Sequence, residues 1–508
     1  MNIKSIFFLV IYFQLAWPNL SGHSCIASIG DRDIYRNNYT YPESIESEHF
    51  KIHFTVSDID SQFVNNQWMS LESNFSYAQS IIDLLEFSMD KYMHDGWISP
   101  PPDCDDSIID LEHPNHCINF GGNALYDIYI SNDGVGMVVP ENPHQIAPYT
   151  GGYTSYMKIS TMLNQHDVYP SWAYYVIAHE LHHSIQLRYG SSTSGEIGNY
   201  SYNLWFFEQS ATYMENVVFP GSNHLLAMLS NCNVVTPLTY PEHGINYPAE
   251  IFPYRSALWQ KYLVKAYEDS SITRIIWENY GLEYASGEGV SLFPIYNEAV
   301  HEVTSGNVIL SDAFDDYALW RYFTGERSIN LDYFNQAQSY CESKISILSD
   351  SSYSLYSNTG GAYYFNIDND INDLKITSAA FDQLAVSLLL IDSDENITIS
   401  DLPLMNESSI FFFDEYFDYN KVLIINSNYL GALTEVITFD ISLNNSFQLG
   451  DINNDALINV NDVVSLINYI LLYDEFNNDI LILGDMNFDL ELNIMDVVIL
   501  VDIILTDN

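Results

Sequence analysis

His179-Glu180-Leu181-His182-His183 is an H-E-x-x-H pentapeptide set in an apolar run, with Ala173-Tyr174-Tyr175-Val176-Ile177-Ala178 before it and Ser184-Ile185-Gln186-Leu187 after it. On a helix advancing about 100° per residue, His179 and His183 lie roughly 40° apart, so both imidazoles can reach one metal ion. Glu180 then sits beside them, able to take a proton from a metal-bound water. Ile177, Leu181 and Ile185 mark the opposite side of that helix and predict its burial in a core. His179 and His182 could also share a face, but only the 179/183 pair leaves Glu180 in the position of a base. Histidines on a buried helix are often satisfied core residues, so the pentapeptide needs support from elsewhere in the chain.

That support comes from Trp205-Phe206-Phe207-Glu208-Gln209-Ser210-Ala211-Thr212-Tyr213-Met214-Glu215, an apolar stretch with helical spacing and a carboxylate in its middle. A carboxylate buried among aromatic rings costs several kcal/mol unless it is paired or bound to metal, and no Lys or Arg lies between Tyr189 and Arg255 to pair with it locally. Catalytic zinc takes three protein ligands and keeps a position for water; His179, His183 and Glu208 are such a set. Glu215, seven residues after Glu208 on the same face, is either a partner of a ligand histidine or an exposed acid.

The two segments together resemble the gluzincin metallopeptidases, in which H-E-x-x-H on one helix is joined by a Glu from a later helix. More closely, the chain resembles a group of secreted bacterial proteins assigned to the metalloproteases that share the form W-x-x-E-x-x-A-T-x-x-E, here Trp205 to Glu215. Further matching pieces are Ser47 to Phe54, Gly96 to Pro101, Tyr126 to Ile130 and Trp320 to Gly325, so the resemblance covers roughly residues 45–330. It implies one catalytic zinc on His179, His183 and Glu208, with Glu180 as proton acceptor and a protein or peptide as substrate. The chain departs from thermolysin-like members in the longer spacing from His183 to Glu208 and in having His182 where an apolar residue is usual. A donor for the developing oxyanion is also expected, and Tyr254, Tyr247 and His243 are the downstream candidates.

Composition narrows the setting. Lys and Arg number 16 against 67 Asp and Glu in 508 residues, a formal net charge of −51. Such a field repels nucleic acid and anionic membranes, and the length calls for more than one domain. Lys4 precedes the apolar run Ile6 to Phe13, too short to span a bilayer and followed by small and polar residues near Ser21-Gly22, which reads as a secretory signal peptide over 1–22 and an extracellular or cell-surface location. No other segment is apolar enough to span a membrane. Cys25, Cys104, Cys117, Cys232 and Cys341 suit an oxidising compartment; Cys104 with Cys117 would close a short acidic loop, Cys232 with Cys341 a long one, and unpaired thiols are the alternative.

Past Gly325 the texture changes. From about Ser352 to Leu443, short β-rich runs such as Ala362 to Ile367, Ala385 to Ile391 and Val422 to Ile425 alternate with Asp, Asn, Ser and Gly turns, which predicts a β-sandwich over 345–446. The tail repeats itself. Asp451, Asn453, Asp455, Asn459 and Asp462 supply oxygens at positions 1, 3, 5, 9 and 12 of one loop, with the carbonyl of Leu457 at position 7; Asp485, Asn487, Asp489, Asn493 and Asp496 do so in a second, with the carbonyl of Glu491. An apolar helix follows each. The pair resembles the calcium loops of a type I dockerin over 447–508, which implies two Ca²⁺ ions and a cohesin-like partner, although Val460/Asn461 and Ile494/Met495, where partners are read, are unlike each other. Purely structural calcium staples are the alternative. Position 6, normally Gly, holds Ala456 and Leu490, at roughly 1–2 kcal/mol each for a left-handed backbone.

The sequence therefore predicts a multidomain chain: a mixed α/β (α+β) gluzincin-like domain over 23–340, a β-sandwich, and a small α-helical, EF-hand-like dockerin module. The expected function is a secreted zinc endopeptidase with a tail for attachment or assembly. A dockerin-bearing polysaccharide-degrading hydrolase and a non-catalytic adhesin or scaffold subunit with a vestigial site are the other two readings; no carboxylate pair stands out as a glycosidase would require.

Overall fold

The computed structural model describes residues 39–64, 66–102, 121, 123–132, 135–161, 171–191, 204–248, 251–287, 289–328, 333–346, 348, 352–379, 383–402, 408–413, 418–427, 437–443, 447–472, 478–487, 489 and 491–506. The N-terminal apolar run, Cys25, Cys104, Cys117 and Leu490 lie outside them. The protein is multidomain and mixed α/β, and falls into two compact units, one drawn from 1–239, 245–313 and 323–342 and the other from 240–244, 314–322 and 343–508.

The first unit is built on a five-stranded mixed sheet. Its strands are β1 (Glu43–Glu46), β2 (Phe50–Phe54), β5 (Tyr126–Ser131), β6 (Gly136–Pro143) and β7 (Tyr153–Ser160), in the order β1-β2-β5-β7-β6. The central pairs β2/β5 and β5/β7 are parallel, while β1/β2 and β6/β7 are antiparallel, so β6 forms an edge. Between β2 and β5 the chain makes a hairpin, β3 (Ser61–Val64) with β4 (Gln67–Ser70). Period-two alternation sends Phe50, Ile52 and Phe54 fully into the core and leaves Lys51 and His53 partly exposed.

Helix α1 (Phe75–His94) packs on β2, and α2 (Ser171–Tyr189) on β6 and β7. Asn74 caps α1 by accepting the Tyr77 N–H, and the Tyr92 hydroxyl donates to the Ala178 carbonyl at 2.8 Å, joining the two helices. α2 is not amphipathic: every residue from Tyr175 to Leu187 is buried, because the sheet, α1 and the helices that follow enclose it. Those are α3 (Leu204–Val218), α4 (His224–Leu229), the short α5 (Phe252–Arg255), α6 (Ala257–Tyr267), α7 (Ile272–Ser286) and α8 (Leu292–Val303). α3 lies against α2 and α6, and α7 also reaches α2. A disulfide joins Cys232 to Cys341.

Helix α9 (Leu310–Tyr322) leads into the second unit. There Arg321, from the Trp320 to Gly325 piece, is buried with its guanidinium over the Tyr317 ring and donates to the carbonyls of Pro241 and Gly360, both at 3.1 Å. Its charge is thus spent on backbone. Two four-stranded antiparallel sheets follow. One has β8 (Ser352–Ser357), β10 (Asp373–Thr377), β13 (Ser408–Phe412) and β15 (Ile437–Leu443); the other has β9 (Ala362–Ile367), β11 (Leu384–Ile391), β12 (Ile397–Asp401) and β14 (Asn420–Ser427). Inward side chains of both, among them Phe365, Leu374, Ile376, Leu388, Leu423 and Ile441, form one hydrophobic core. The tail helices α10 (Val460–Leu472), α11 (Asn478–Gly484) and α12 (Ile494–Thr506) gather a second core around Leu466, Leu483 and Leu500. The expected boundary near 446 is bridged: Lys375 of β10 holds both carboxylate oxygens of Asp479 at 2.8 Å, and Phe412 packs against the tail core. Among the described residues no helix is long and apolar enough to cross a membrane.

Candidate metal centre

Helical spacing brings His179 and His183 onto one face of α2, and the packing of α3 across that face delivers Glu208 to them. His179 Nε2 lies 3.0 Å from Glu208 Oε2, His183 Nε2 lies 3.2 Å from the same oxygen, and the two Nε2 atoms are 3.0 Å apart. All three residues are buried, Glu208 completely.

The outer nitrogens decide what this triangle means. Glu215, on α3, accepts from His179 Nδ1 at 2.8 Å through one carboxylate oxygen and from His224 Nδ1 at 2.6 Å through the other. A carboxylate only accepts, so His179 carries a proton on Nδ1. His183 Nδ1 lies 2.7 Å from Gln186 Oε1, and the orientation of that amide is fixed because its Nε2 donates to the Phe207 carbonyl and to Ser210 Oγ, both at 2.9 Å. His183 therefore also carries its proton on Nδ1. In their neutral forms both histidines point an Nε2 lone pair at a Glu208 oxygen that offers another. Three lone pairs meet in a triangle of 3.0 to 3.2 Å edges, and a cation at its centre would convert three repulsions into three bonds. Tetrahedral coordination with ~2.0–2.2 Å bonds has edges of about 3.3–3.6 Å, so the arrangement needs to open by only a few tenths of an ångström.

Burial pushes the Glu208 carboxyl up; should His183 or His179 take up a second proton, on Nε2, the charge of His183 and the hydrogen bonds of both rings would outweigh burial and hold Glu208 well below the usual carboxylate range. Glu215 is likewise lowered, with burial opposed by His224 and by its two imidazole hydrogen bonds. Glu215 is thus held ionised in the interior.

Glu180 is buried beside the triad on α2. The backbone of edge strand β6 runs against it so closely that a Cβ on Gly136 would fall 2.6 Å from Glu180 Cγ and 2.7 Å from its Oε1. Of the candidate oxyanion donors, Tyr254 stacks its ring on His179 with centroids 5.7 Å apart and planes 13° from parallel. Tyr247 packs edge-on against Phe252. His243 belongs to the second unit, where it stacks on Tyr240. His182 points away from the triad into a pocket with Tyr92 and Trp97, and neither ring nitrogen has a hydrogen-bond partner. Burial and the nearby His183 and His179 push its pKa well below the ordinary value. The 179/182 alternative is thereby excluded.

Three contributors were missed in the sequence. Gln186 is visible there only as a polar residue in an apolar run, Gly136 only as a glycine, and His224 carries no motif. Each acts through a contact made by a different part of the chain.

The two tail loops fold alike. Asp455 N–H donates to Asp451 Oδ1 and Asp489 N–H to Asp485 Oδ1, each at 3.1 Å. Ile452 and Asn459 N–H bind the two oxygens of Asp462 at 2.9 and 2.8 Å, and Met486 and Asn493 repeat this on Asp496 at 2.9 and 2.8 Å. Asn453 and Asn487 sit at the third positions, and the Asn459 and Asn493 side-chain amides reach back to the carbonyls of Leu457 and Glu491. Ala456 has φ +64°, the left-handed conformation expected at position 6. Among the described residues, only His179, His183 and Glu208 bring three His, Cys or carboxylate ligand atoms within 4.8 Å of one another; the loop carboxylates do not.

No protein-family model matches the chain, and no curated protein matches it significantly.

Proposed function

We propose that this chain is a secreted zinc-dependent endopeptidase of the gluzincin kind, with a β-sandwich over 345–446 and a dockerin-like, calcium-binding tail over 447–508 for attachment or assembly. The observation that carries the reading is the convergence of three lone pairs, from His179, His183 and Glu208, with both histidine tautomers fixed from behind. Two imidazoles and one carboxylate, leaving a fourth position for water, are a donor set suited to zinc.

Bound there, zinc would supply Lewis acidity toward a peptide carbonyl and lower the pKa of water. The protein's own groups have separate tasks. Glu180 accepts the proton released by the attacking water and returns it to the leaving amine. Glu215 and Gln186 hold His179 and His183 with Nε2 deprotonated. The Tyr254 ring lies nearly parallel to His179 and offset from it, with centroids 5.7 Å apart.

A peptide substrate is favoured over a glycan by the setting of Glu180. It abuts Gly136 on β6, the edge strand whose outer side has no strand partner among the described residues. Such an edge can hydrogen-bond an extended peptide as an added strand. The test is metal analysis of the purified protein together with hydrolysis of casein and of polysaccharides. One zinc per chain with chelator-sensitive casein cleavage is expected. Polysaccharide cleavage alone would favour the glycan-degrading reading, and bound zinc without turnover the non-catalytic one.

A further inference from the structure

We propose that Gln186 is a positioning residue that both sets the tautomer of His183 and locks α3, the helix carrying Glu208, to α2; this rests on the metal reading above. Gln186 lies three residues after His183 on the same helix and is fully buried. Its single amide makes three contacts: Oε1 accepts from His183 Nδ1 at 2.7 Å, and Nε2 donates to the Phe207 carbonyl and to Ser210 Oγ at 2.9 Å each. Phe207 and Ser210 flank Glu208 in sequence. Ser210 Oγ is in turn fixed by the indole N–H of Trp277 on α7 at 3.0 Å. A rigid chain of hydrogen bonds therefore runs from one ligand, His183, through one side chain, to the turn of α3 that presents another, Glu208.

The chemistry requires an amide. His183 needs an acceptor behind it, while the Phe207 carbonyl needs a donor in front of it, and a primary amide offers both side by side from one planar group. Asn is a methylene shorter. A carboxylate would serve His183 and confront the Phe207 carbonyl with a second acceptor; an apolar side chain would serve neither. His179 differs, because the carboxylate of Glu215 backs it and faces only imidazole N–H groups.

Two variants separate the two roles. Gln186→Met removes both; Gln186→Glu keeps the acceptor for His183 and loses the donors to α3. In the zinc-free protein, histidine ¹⁵N NMR should show His183 protonated on Nδ1 in the parent and in Gln186→Glu, and shifted toward Nε2 protonation in Gln186→Met, where Glu208 becomes its nearest acceptor. Zinc affinity by chelator competition should fall about 10–100-fold in Gln186→Met, the loss typical when the group behind a ligand histidine is removed, and less than that in Gln186→Glu. The melting temperature of the zinc-free protein should fall in both. An unchanged His183 tautomer in Gln186→Met, or equal zinc affinity in parent and Gln186→Met, overturns the proposal. The NMR result stands even if the parent binds no zinc, an outcome that instead removes the metallopeptidase reading. If Gln186→Met does not fold, an unaltered His183 signal with less than about tenfold loss of zinc affinity in Gln186→Glu supports the acceptor role, and a His183 signal shifted toward Nε2 protonation or a larger loss of affinity refutes it.

Discussion

Gly136→Ala tests whether Glu180 must sit where edge strand β6 leaves it. The backbone at Gly136 is not left-handed, so alanine is conformationally allowed there. The added methyl, however, would lie 2.6 Å from Glu180 Cγ, 2.7 Å from Oε1 and 2.9 Å from Cδ. Carbon atoms in contact prefer about 3.5–4.0 Å, so the carboxylate must retreat by roughly 1 Å. Because the collision falls on a side chain and not on backbone, the fold and the metal ligands should survive. A misplacement of about 1 Å in a reacting group can cost on the order of 10²-fold in rate, near 2.7 kcal/mol of barrier. The expected result is parental zinc content, a thermal midpoint within a few degrees of the parent, KM changed by less than about threefold, and kcat lowered roughly 30- to 100-fold on a quenched-fluorescence peptide. Parental kcat with zinc in place would refute the assignment of Glu180 as the base, since its carboxylate cannot remain in position with the methyl present.

Other outcomes follow from the same contacts. Glu180→Gln should keep zinc and lose about 10²–10⁴-fold in peptidase turnover, measured as metal content and casein hydrolysis on one preparation. Glu208→Gln should reduce zinc affinity so far that the purified protein holds substoichiometric metal, and removing zinc from the parent with a chelator should lower its melting temperature; equal metal content in variant and parent would mean Glu208 is not a ligand. His144 is buried, accepts the Ile146 N–H on Nδ1 and donates from Nε2 to the Arg188 carbonyl, and burial is the first cause of a pKa lowered to about 4. The unfolded chain takes up its proton near pH 6.5 and the folded chain only near 4, so stability is complete above pH 6.5 and declines as pH falls toward 4, by at most roughly 3 kcal/mol. Urea midpoints from pH 7.5 to 4.5 should show a shallower decline in His144→Gln than in the parent. In the tail, Ala456→Gly should relieve the left-handed strain at φ +64° and tighten calcium binding about fivefold from a starting affinity on the order of 10⁻⁴–10⁻³ M, read by calorimetry on the whole protein.

What the sequence determined by itself was whatever depends on local periodicity. The 3.6-residue helix fixes His179 and His183 on one face wherever α2 is placed, and a loop that turns within twelve residues brings Asp451 back toward Asp462 without help from the rest of the chain. The absence of nearby Lys or Arg around Glu208 was likewise a local fact. That Glu208 would meet the histidines, and that Glu215 would back His179 and not face solvent, depended on how α3 crosses α2, because two helices can pack at many rotations and only the shared core selects one. His182 shows the same division: helical spacing permits it to pair with His179, and Tyr92 and Trp97 decide that it turns into the core instead. The role of Gly136, and the part of Gln186's that reaches α3, are written in the tertiary structure, whereas the contact of Gln186 with His183 is one of helical spacing. A glutamine becomes the tie between His183 and α3 only when the Phe207 carbonyl is laid against it, and a glycine becomes necessary only when the side chain of Glu180 occupies the space where its Cβ would be.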